Sequence, residues 1–317
     1  MKFKCPNCNS ENGTKINSYK HNWITCNECG TLIRERKNQY PFDNWLFRTI
    51  IQNTKLKFLY GKTLLPFKEV IDAESYFYNN YHNSISLEAK GTKWEKVIQT
   101  VLTNLKRNNI DIKDKSILDI SGGPGFLTKE LSQIAKRAVV TEFSQIEVDG
   151  MKKKLEIEAI KFDYKSDQIN ECIDSKFDII FIIYSIGFCD DLRNFVQSLR
   201  KLMHEESIVY VCYSPPTLGL MIRWQFDDYT YRRSWPIETV TKILSEIGMI
   251  EIAKEDEGSI RYNENKYNQT KNPLAKLLTS AHKLIEKYYI NRALKNNFIN
   301  KELVQKNVMQ IFKLQKN

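Results

Sequence analysis

The sequence lacks any apolar run of about 18 residues, the length that a transmembrane helix needs. Its first residues, MKFKCPNC, also lack the apolar stretch of a secretory signal peptide. With 42% hydrophobic and 27% charged residues, the composition excludes a disordered, collagen-like or disulfide-scaffold chain. We therefore expect a soluble globular protein that stays in the cytoplasm, where thiols remain reduced. Its 317 residues suggest about two domains.

Two common nucleotide-binding motifs are also missing. The sequence has no GxxxxGK loop followed by Ser or Thr, so hydrolysis of ATP or GTP has no support. The GxGxxG spacing of folds that bind NAD is absent as well. These absences disfavour both kinds of nucleotide as the ligand of a glycine loop.

Four of the seven cysteines form two CxxC pairs that are separated by 17 residues: Cys5 with Cys8, and Cys26 with Cys29. This spacing is typical of a four-cysteine zinc site, because each CxxC turn directs two thiolates at one tetrahedral ion. Four thiolates leave no open coordination position, so the predicted Zn²⁺ is structural. A pair of redox dithiols is the alternative.

Positive charge is concentrated at one end of the chain. Residues 266–317 carry a net charge of +9, whereas residues 1–265 carry only +1. Within this basic tail, residues 272–289 place apolar side chains at helical spacing with lysines elsewhere, which predicts an amphipathic basic helix. Three roles are open for such a helix: docking on the protein itself or on a second subunit, binding to an anionic membrane surface, and binding to RNA phosphates.

The middle of the chain alternates short apolar strands with amphipathic helices from residue 116 onward. This alternation predicts an α/β fold with a doubly wound, mostly parallel sheet. We divide the chain into a zinc-binding module, a helical lead-in or lid, a central α/β domain and a basic helical tail: 1–39, 40–115, 116–265 and 266–317.

Acidic residues end three successive predicted strands. Asp119 precedes the loop SGGPG, Glu142 ends the second strand, and Asp163 ends the third. Ligands of doubly wound sheets bind beyond the carboxyl ends of the strands, and glycines let the backbone approach them closely. An acid about 20 residues beyond the first strand is suited to accept hydrogen bonds from a ribose diol.

The stretch ILDISGGPGFLTKEL, together with Glu142 and Asp163, resembles the class I S-adenosylmethionine-dependent methyltransferases. The resemblance implies a seven-stranded Rossmann-like sheet and S-adenosylmethionine as the cofactor. It departs from the family pattern at Ser121, where the first glycine is usual. The cofactor-binding residues that it implies are Asp119, Ser121, Gly122, Gly123, Gly125, Glu142, Asp163 and Ser185.

The acceptor of the methyl group is indicated mainly by what is missing. Enzymes that methylate exocyclic base nitrogens carry an Asn/Asp/Ser-Pro-Pro-aromatic turn after the fourth strand, and no such turn follows it here. In cytosine-C5 methyltransferases the nucleophilic cysteine follows a proline, whereas Cys189 follows Phe188. The cysteine module joined to this fold resembles bacterial methyltransferases of sugar and polysaccharide clusters, which implies a small-molecule acceptor such as a nucleotide-linked sugar. The alternatives are a ribosomal RNA base methyltransferase and a non-catalytic zinc-containing scaffold.

Candidate acceptor-site residues follow from their positions. Tyr184 and Asp190 lie at or just past the end of the fourth strand, and His82 lies in the tyrosine-rich lead-in, so these three are the predicted catalytic residues. Arg232 and Arg233 lie in an aromatic, basic segment after the fifth strand, where they are suited to bind a phosphate or carboxylate. The alternative for His82 is a surface or stacking histidine, and the alternative for the segment with Arg232 and Arg233 is a solvated loop.

Overall fold

The computed structural model describes residues 3–5, 8–17, 22–29, 32–34, 89–90, 93–213, 233–257 and 307–315. Most of the predicted helical lead-in and the helix predicted at 272–289 lie outside these residues, as do His82 and Arg232. Among the described residues, no helix has both the length and the apolar character needed to cross a membrane.

Eleven strands occur in the described part of the chain. They are β1 (Gly13–Asn17), β2 (Asn22–Cys26), β3 (Leu32–Arg34), β4 (Ser116–Ile120), β5 (Arg137–Glu142), β6 (Glu158–Lys161), β7 (Phe177–Ile183), β8 (Met203–Tyr213), β9 (Arg233–Ser234), β10 (Met249–Glu257) and β11 (Asn307–Leu314). The α-helices in the same ranges are α1 (Lys93–Arg107), α2 (Phe126–Leu131), α3 (Gln145–Gly150), α4 (Ile169–Cys172), α5 (Leu192–Arg200) and α6 (Ile237–Ser245). A π-helical turn (Met151–Leu155) extends α3, and a 3₁₀ turn (Ile186–Phe188) follows β7.

Seven of these strands form one sheet in the order β10-β11-β8-β7-β4-β5-β6. The pairs β4–β5, β5–β6, β4–β7 and β7–β8 are parallel, whereas β11 is antiparallel to both of its neighbours. The predicted mostly parallel, Rossmann-like sheet is therefore confirmed. The chain adds strands on one side of β4 and then on the other, which opens a crevice at the carboxyl end of β4.

Helices cover both faces of this sheet. On one face α1 and α2 pack on alternate strand residues such as Ile117, Phe181 and Tyr210. On the other face α5 and α6 pack on the intervening residues, for example Leu118 and Ile180. Because the central strands are buried on both sides, they are apolar almost throughout, which is what made them recognisable in the sequence.

The prediction of a helical tail over residues 266–317 is wrong for its last part. Residues 307–314 form β11, which lies between β8 and β10 inside the sheet. Its apolar residues are buried, and buried Gln310 accepts a hydrogen bond from the Tyr213 hydroxyl (2.8 Å). The short apolar run NVMQIF lies among lysines, so its strand pattern does not stand out in the sequence. The predicted domain boundary at residue 265 therefore separates a strand from its own sheet.

The N-terminal module forms a second, antiparallel sheet in the order β1-β2-β3-β9. Its last strand comes from the central domain, because β9 immediately precedes α6. The pairing of β3 with β9 joins Leu32 to Ser234 and Ile33 to Arg233. The cysteine module and the central domain are thus connected by a shared sheet.

Candidate active site

The loop Ser121–Gly125 connects the end of β4 to the start of α2, and it is packed too closely for side chains at its glycines. A Cβ atom on Gly122 would collide with the Asp119 carboxylate. Gly123 has a φ of +61°, and a Cβ atom there would lie 3.0 Å from Cζ2 of Trp94. The glycines therefore let the loop fold back on its own strand and leave room at the crevice for a ligand.

Asp119 is 1% exposed, and its two carboxylate oxygens have different surroundings. Oδ2 accepts a hydrogen bond from the Thr128 hydroxyl (2.8 Å) in α2. Oδ1 is buried and has no hydrogen-bond partner among the described residues. Burial raises the pKa of Asp119 to about 6. A buried acceptor of this kind is costly without a partner, which suits it to a donor on a bound ligand.

Glu142, 5% exposed at the end of β5, organises the glycine loop. Its Oε2 accepts a hydrogen bond from the backbone N–H of Gly123 (3.0 Å), and its Oε1 accepts one from the N–H of Phe143 (2.8 Å). Burial, together with a smaller contribution from the neighbouring charge of Glu147, raises the pKa of Glu142 to about 7. The carboxylate thus lies directly beside the loop, where it is placed to meet a ligand.

Asp163 follows the end of β6 at the same edge of the sheet. Its Oδ1 accepts a hydrogen bond from the N–H of Lys165 (2.9 Å), and its own N–H donates to Asp167 (2.8 Å). These bonds fix the turn after β6 and hold the Asp163 carboxylate at a strand end. The three acids that the sequence singled out therefore follow three adjacent parallel strands.

Tyr164 is the principal site residue that sequence reasoning missed. Its hydroxyl lies 3.2 Å from Oγ of Ser185. Burial raises the pKa of this phenol, and the neighbouring side chains of Ser185 and Ser121 lower it. Ser185 in turn donates to the carbonyl of Ile120 (2.9 Å). The phenol thus links the ends of β4, β6 and β7. An aromatic residue directly after a strand-end acid was the available signal.

Ser121 occupies a strained backbone position. Its φ is +51°, in the left-handed region where glycine is usual, and its N–H donates to the Thr141 hydroxyl (3.0 Å). The side chain of this serine lies near the Tyr164 hydroxyl, so the loop accommodates a residue other than the usual glycine.

Of the predicted catalytic residues, Tyr184 and Asp190 are described. Tyr184 has a φ of +55°, and its N–H donates to the carbonyl of Cys212 (2.7 Å), so the chain turns sharply where β7 ends. Asp190 lines a cavity of about 200 Å³ together with Tyr164, Asn194 and Ser198. The backbone of Arg233 belongs to β9. The catalytic and substrate-binding roles of these residues stay predictions.

The four paired cysteines converge as their spacing predicts. Their Sγ atoms all lie within 4.8 Å of one another, with 3.5 Å between Cys5 and Cys29 and 3.4 Å between Cys8 and Cys26. Cys5 and Cys26 are buried, and the other two are more exposed. This is the arrangement of ligand atoms that a tetrahedral metal ion requires.

Residues 118–211 match a family model described as a methyltransferase domain. The chain carries a methyltransferase domain. The matched residues run from β4 to β8 and include all three strand-end acids and the glycine loop. Methyl transfer is therefore the activity class that the matched domain indicates. None of the curated proteins matches the sequence.

Solved structures with the same architecture are distant in sequence. A candidate sarcosine dimethylglycine methyltransferase from Galdieria sulphuraria is 9% identical, with 77% of this chain and 99% of that chain covered and a TM-score of 0.52. The N-methyltransferase NodS from Bradyrhizobium japonicum, solved with S-adenosyl-L-homocysteine, is 12% identical, with 76% and 99% covered and a TM-score of 0.48. A methyltransferase from Clostridium acetobutylicum is 14% identical, with 76% and 96% covered and a TM-score of 0.43. At these identities the likeness concerns the fold alone.

The described residues fit S-adenosylmethionine. No hydrogen-bond donor among the described residues reaches the buried Oδ1 of Asp119, and the amino group of this ligand can donate to it. Glu142 and Asp163 supply further acceptors at neighbouring strand ends, where a ribose diol and an adenine amino group are the matching donors. The glycine loop lets these donors approach closely.

We expect cofactor affinity to decrease as the pH is lowered, because a protonated Glu142 is a weaker hydrogen-bond acceptor than the carboxylate. With a pKa of about 7, Glu142 is mostly ionised at pH 8 and mostly protonated at pH 6. The dissociation constant of S-adenosylhomocysteine should therefore rise by about tenfold over this interval. Calorimetry on the wild type and on Glu142→Gln measures the effect. The variant should bind more weakly and lose most of the pH dependence; a wild-type affinity that is constant between pH 6 and 8 contradicts the assignment.

Replacing Tyr164 with Phe should weaken cofactor binding by several-fold, because the ends of β4, β6 and β7 lose the hydroxyl that links them. The matched control is Tyr210→Phe, which removes another buried hydroxyl, bonded to Asn104 at 3.0 Å, away from the strand ends. Both variants should lose about 1 kcal/mol of unfolding free energy. Calorimetry with S-adenosylhomocysteine should detect a change only in Tyr164→Phe. Equal affinities in the two variants would show that the Tyr164 network is structural.

Proposed function

We propose that the chain transfers the methyl group of S-adenosylmethionine to a small-molecule acceptor, such as a nucleotide-linked sugar or a polysaccharide precursor. The observation that carries the proposal is the set of three strand-end carboxylates, Asp119, Glu142 and Asp163, of which the first two lie beside the glycine loop. One of these, Asp119, has a buried oxygen that needs a donor. This set holds an adenosine-bearing cation and leaves the end of β7 for the acceptor.

Each acid has a distinct part in this proposal. Glu142 accepts hydrogen bonds from the ribose hydroxyls, Asp163 accepts one from the adenine amino group, and Asp119 accepts one from the amino group of the methionine portion. Gly122, Gly125, Ser121 and Ser185 shape the crevice between them. The bound cofactor supplies an activated methyl group, so the enzyme mainly has to place an acceptor in line with it.

The acceptor side is formed by the residues that follow β7. Tyr184 lies at the turn after this strand, and Asp190 lines a cavity together with Tyr164. We assign Asp190 or His82 as the group that takes up a proton when the acceptor has to lose one. Arg232 and Arg233 are assigned to a phosphate or carboxylate of the acceptor.

The proposal of a small-molecule acceptor is supported by the position of the ends of β8 and β10. Tyr213 ends β8, and Glu257 pairs with Asn307 across β10 and β11. Since β8 and β10 run in the same direction as β4, these residues lie at the cofactor edge. The chain therefore leaves the sheet after β8 and after β10 at the edge where the cofactor is proposed to bind.

The acceptor class is tested with methyl-labelled S-adenosylmethionine and two groups of candidates, nucleotide-linked sugars and ribosomal RNA. We expect label in the small-molecule fraction and formation of S-adenosylhomocysteine, both lost in Asp119→Asn. Asp111→Asn is the matched control, because Asp111 is an exposed acid whose carboxylate accepts a hydrogen bond from the N–H of Lys113. Label found only in RNA contradicts the small-molecule proposal.

We further propose that Cys5, Cys8, Cys26 and Cys29 bind one structural Zn²⁺. The support is the convergence of four Sγ atoms within 4.8 Å in a module that has few other buried groups among its described residues. Metal analysis of the purified chain should give one zinc per chain, and Cys26→Ser should lose it. Cys172→Ser, which changes an unpaired cysteine far from the cluster in sequence, is the control. A wild-type chain without zinc contradicts this proposal.

A further inference from the structure

The cysteine module contacts the methyltransferase domain through one of its own predicted metal ligands. The Thr239 hydroxyl in α6 donates a hydrogen bond to the backbone carbonyl of Cys29 (3.0 Å). Thr239 is 5% exposed and Cys29 is half-buried, so this bond is partly shielded from water. Beside it, β3 of the module pairs with β9 of the domain. The module is therefore fixed to the start of α6 at two adjacent points.

The residue after β9 reaches the active-site edge. Trp235 is among the largest fully buried side chains in the described part of the chain, and its Nε1–H donates to the carbonyl of Ile186 (3.1 Å). Ile186 begins the 3₁₀ turn that directly follows Tyr184 and Ser185. The same carbonyl accepts the N–H of Cys189 (3.2 Å). Trp235 thus anchors the turn that carries the predicted acceptor-side residues.

The attachment of β3 to β9 is short. It consists of two residue pairs, and a pairing of this length is not stable alone. The module is also too small to hold its fold without a metal ion, since binding of a structural metal supplies the folding free energy of such units. Loss of the metal therefore releases β3 and the Cys29 carbonyl together. The segment that holds Trp235 then loses both of its attachments to the module.

We infer that Trp235 is a positioning residue for methyl transfer, and that the cysteine module acts through it to fix the turn Ile186–Phe188 beside the transferred methyl group. This inference rests on the proposed zinc site. It makes the module a part of the acceptor side of the enzyme. The path runs from Cys29 through Thr239 and β9 to Trp235, and from Trp235 to Ile186.

Hydrogen exchange on the zinc-loaded chain, before and after removal of zinc with a chelator, tests the path. The N–H groups of Phe188 and Cys189 are hydrogen-bonded within the turn, so a peptide covering residues 184–190 reports on it. We expect exchange in this peptide to accelerate at least tenfold on zinc removal, while β5 is unchanged. Acceleration confined to residues 3–34 and 233–235 overturns the inference. A purified chain that contains no zinc contradicts the metal proposal instead.

Two variants test the two contacts of this path separately in the zinc-loaded chain: Thr239 with Cys29, and Trp235 with Ile186. Thr239→Val should lose zinc to a competing chelator several-fold faster and accelerate exchange at 184–190. Thr103→Val, on the exposed side of α1, removes a hydroxyl bonded only to a helix carbonyl and is the matched control. Trp235→Phe should keep one zinc per chain, accelerate exchange at 184–190 several-fold, and leave the unfolding transition cooperative. Wild-type exchange at 184–190 in both Thr239→Val and Trp235→Phe overturns the inference.

Discussion

Burial of two carboxylates at the ends of β4 and β5 is the constraint around which the site is built. Asp119 and Glu142 are almost inaccessible, and burial raises the pKa of each. Such groups persist only where hydrogen bonds hold them, and here the donors come from α2 and the glycine loop. The loop conformation, the absence of a side chain at Gly122 and the start of α2 all follow from accommodating these acids. The cost of burial is offset when a ligand supplies the remaining donors.

Much of the fold was predictable because its central strands are buried on both faces. Runs such as SILDI and KFDIIFII have no amphipathic alternation, and the acids at their ends stand out against them. The cysteine spacing was equally informative, since the turn geometry of CxxC brings its thiols together. These patterns are local, and local patterns are what a sequence displays directly.

The features that were missed depend on contacts between distant residues. Nothing near NVMQIFKL shows that its partners are β8 and β10, since the lysine-rich surroundings suggest an appendage. Tyr164 gains its role only because Ser121 and Ser185 come to lie beside its hydroxyl. The sequence showed only that Ser121 departs from the usual glycine. In the folded chain its side chain lies near the Tyr164 hydroxyl.

The place of β11 in the sheet has a consequence for biosynthesis. Of the seven strands, it emerges last from the ribosome, yet it lies between two strands made much earlier. Until residues 307–314 appear, β8 presents an unpaired edge and β10 has no neighbour within the sheet. Exposed edges of this kind pair readily with other chains. The nascent polypeptide therefore exposes a strand edge that is open to pairing over the interval in which residues 258–306 are translated.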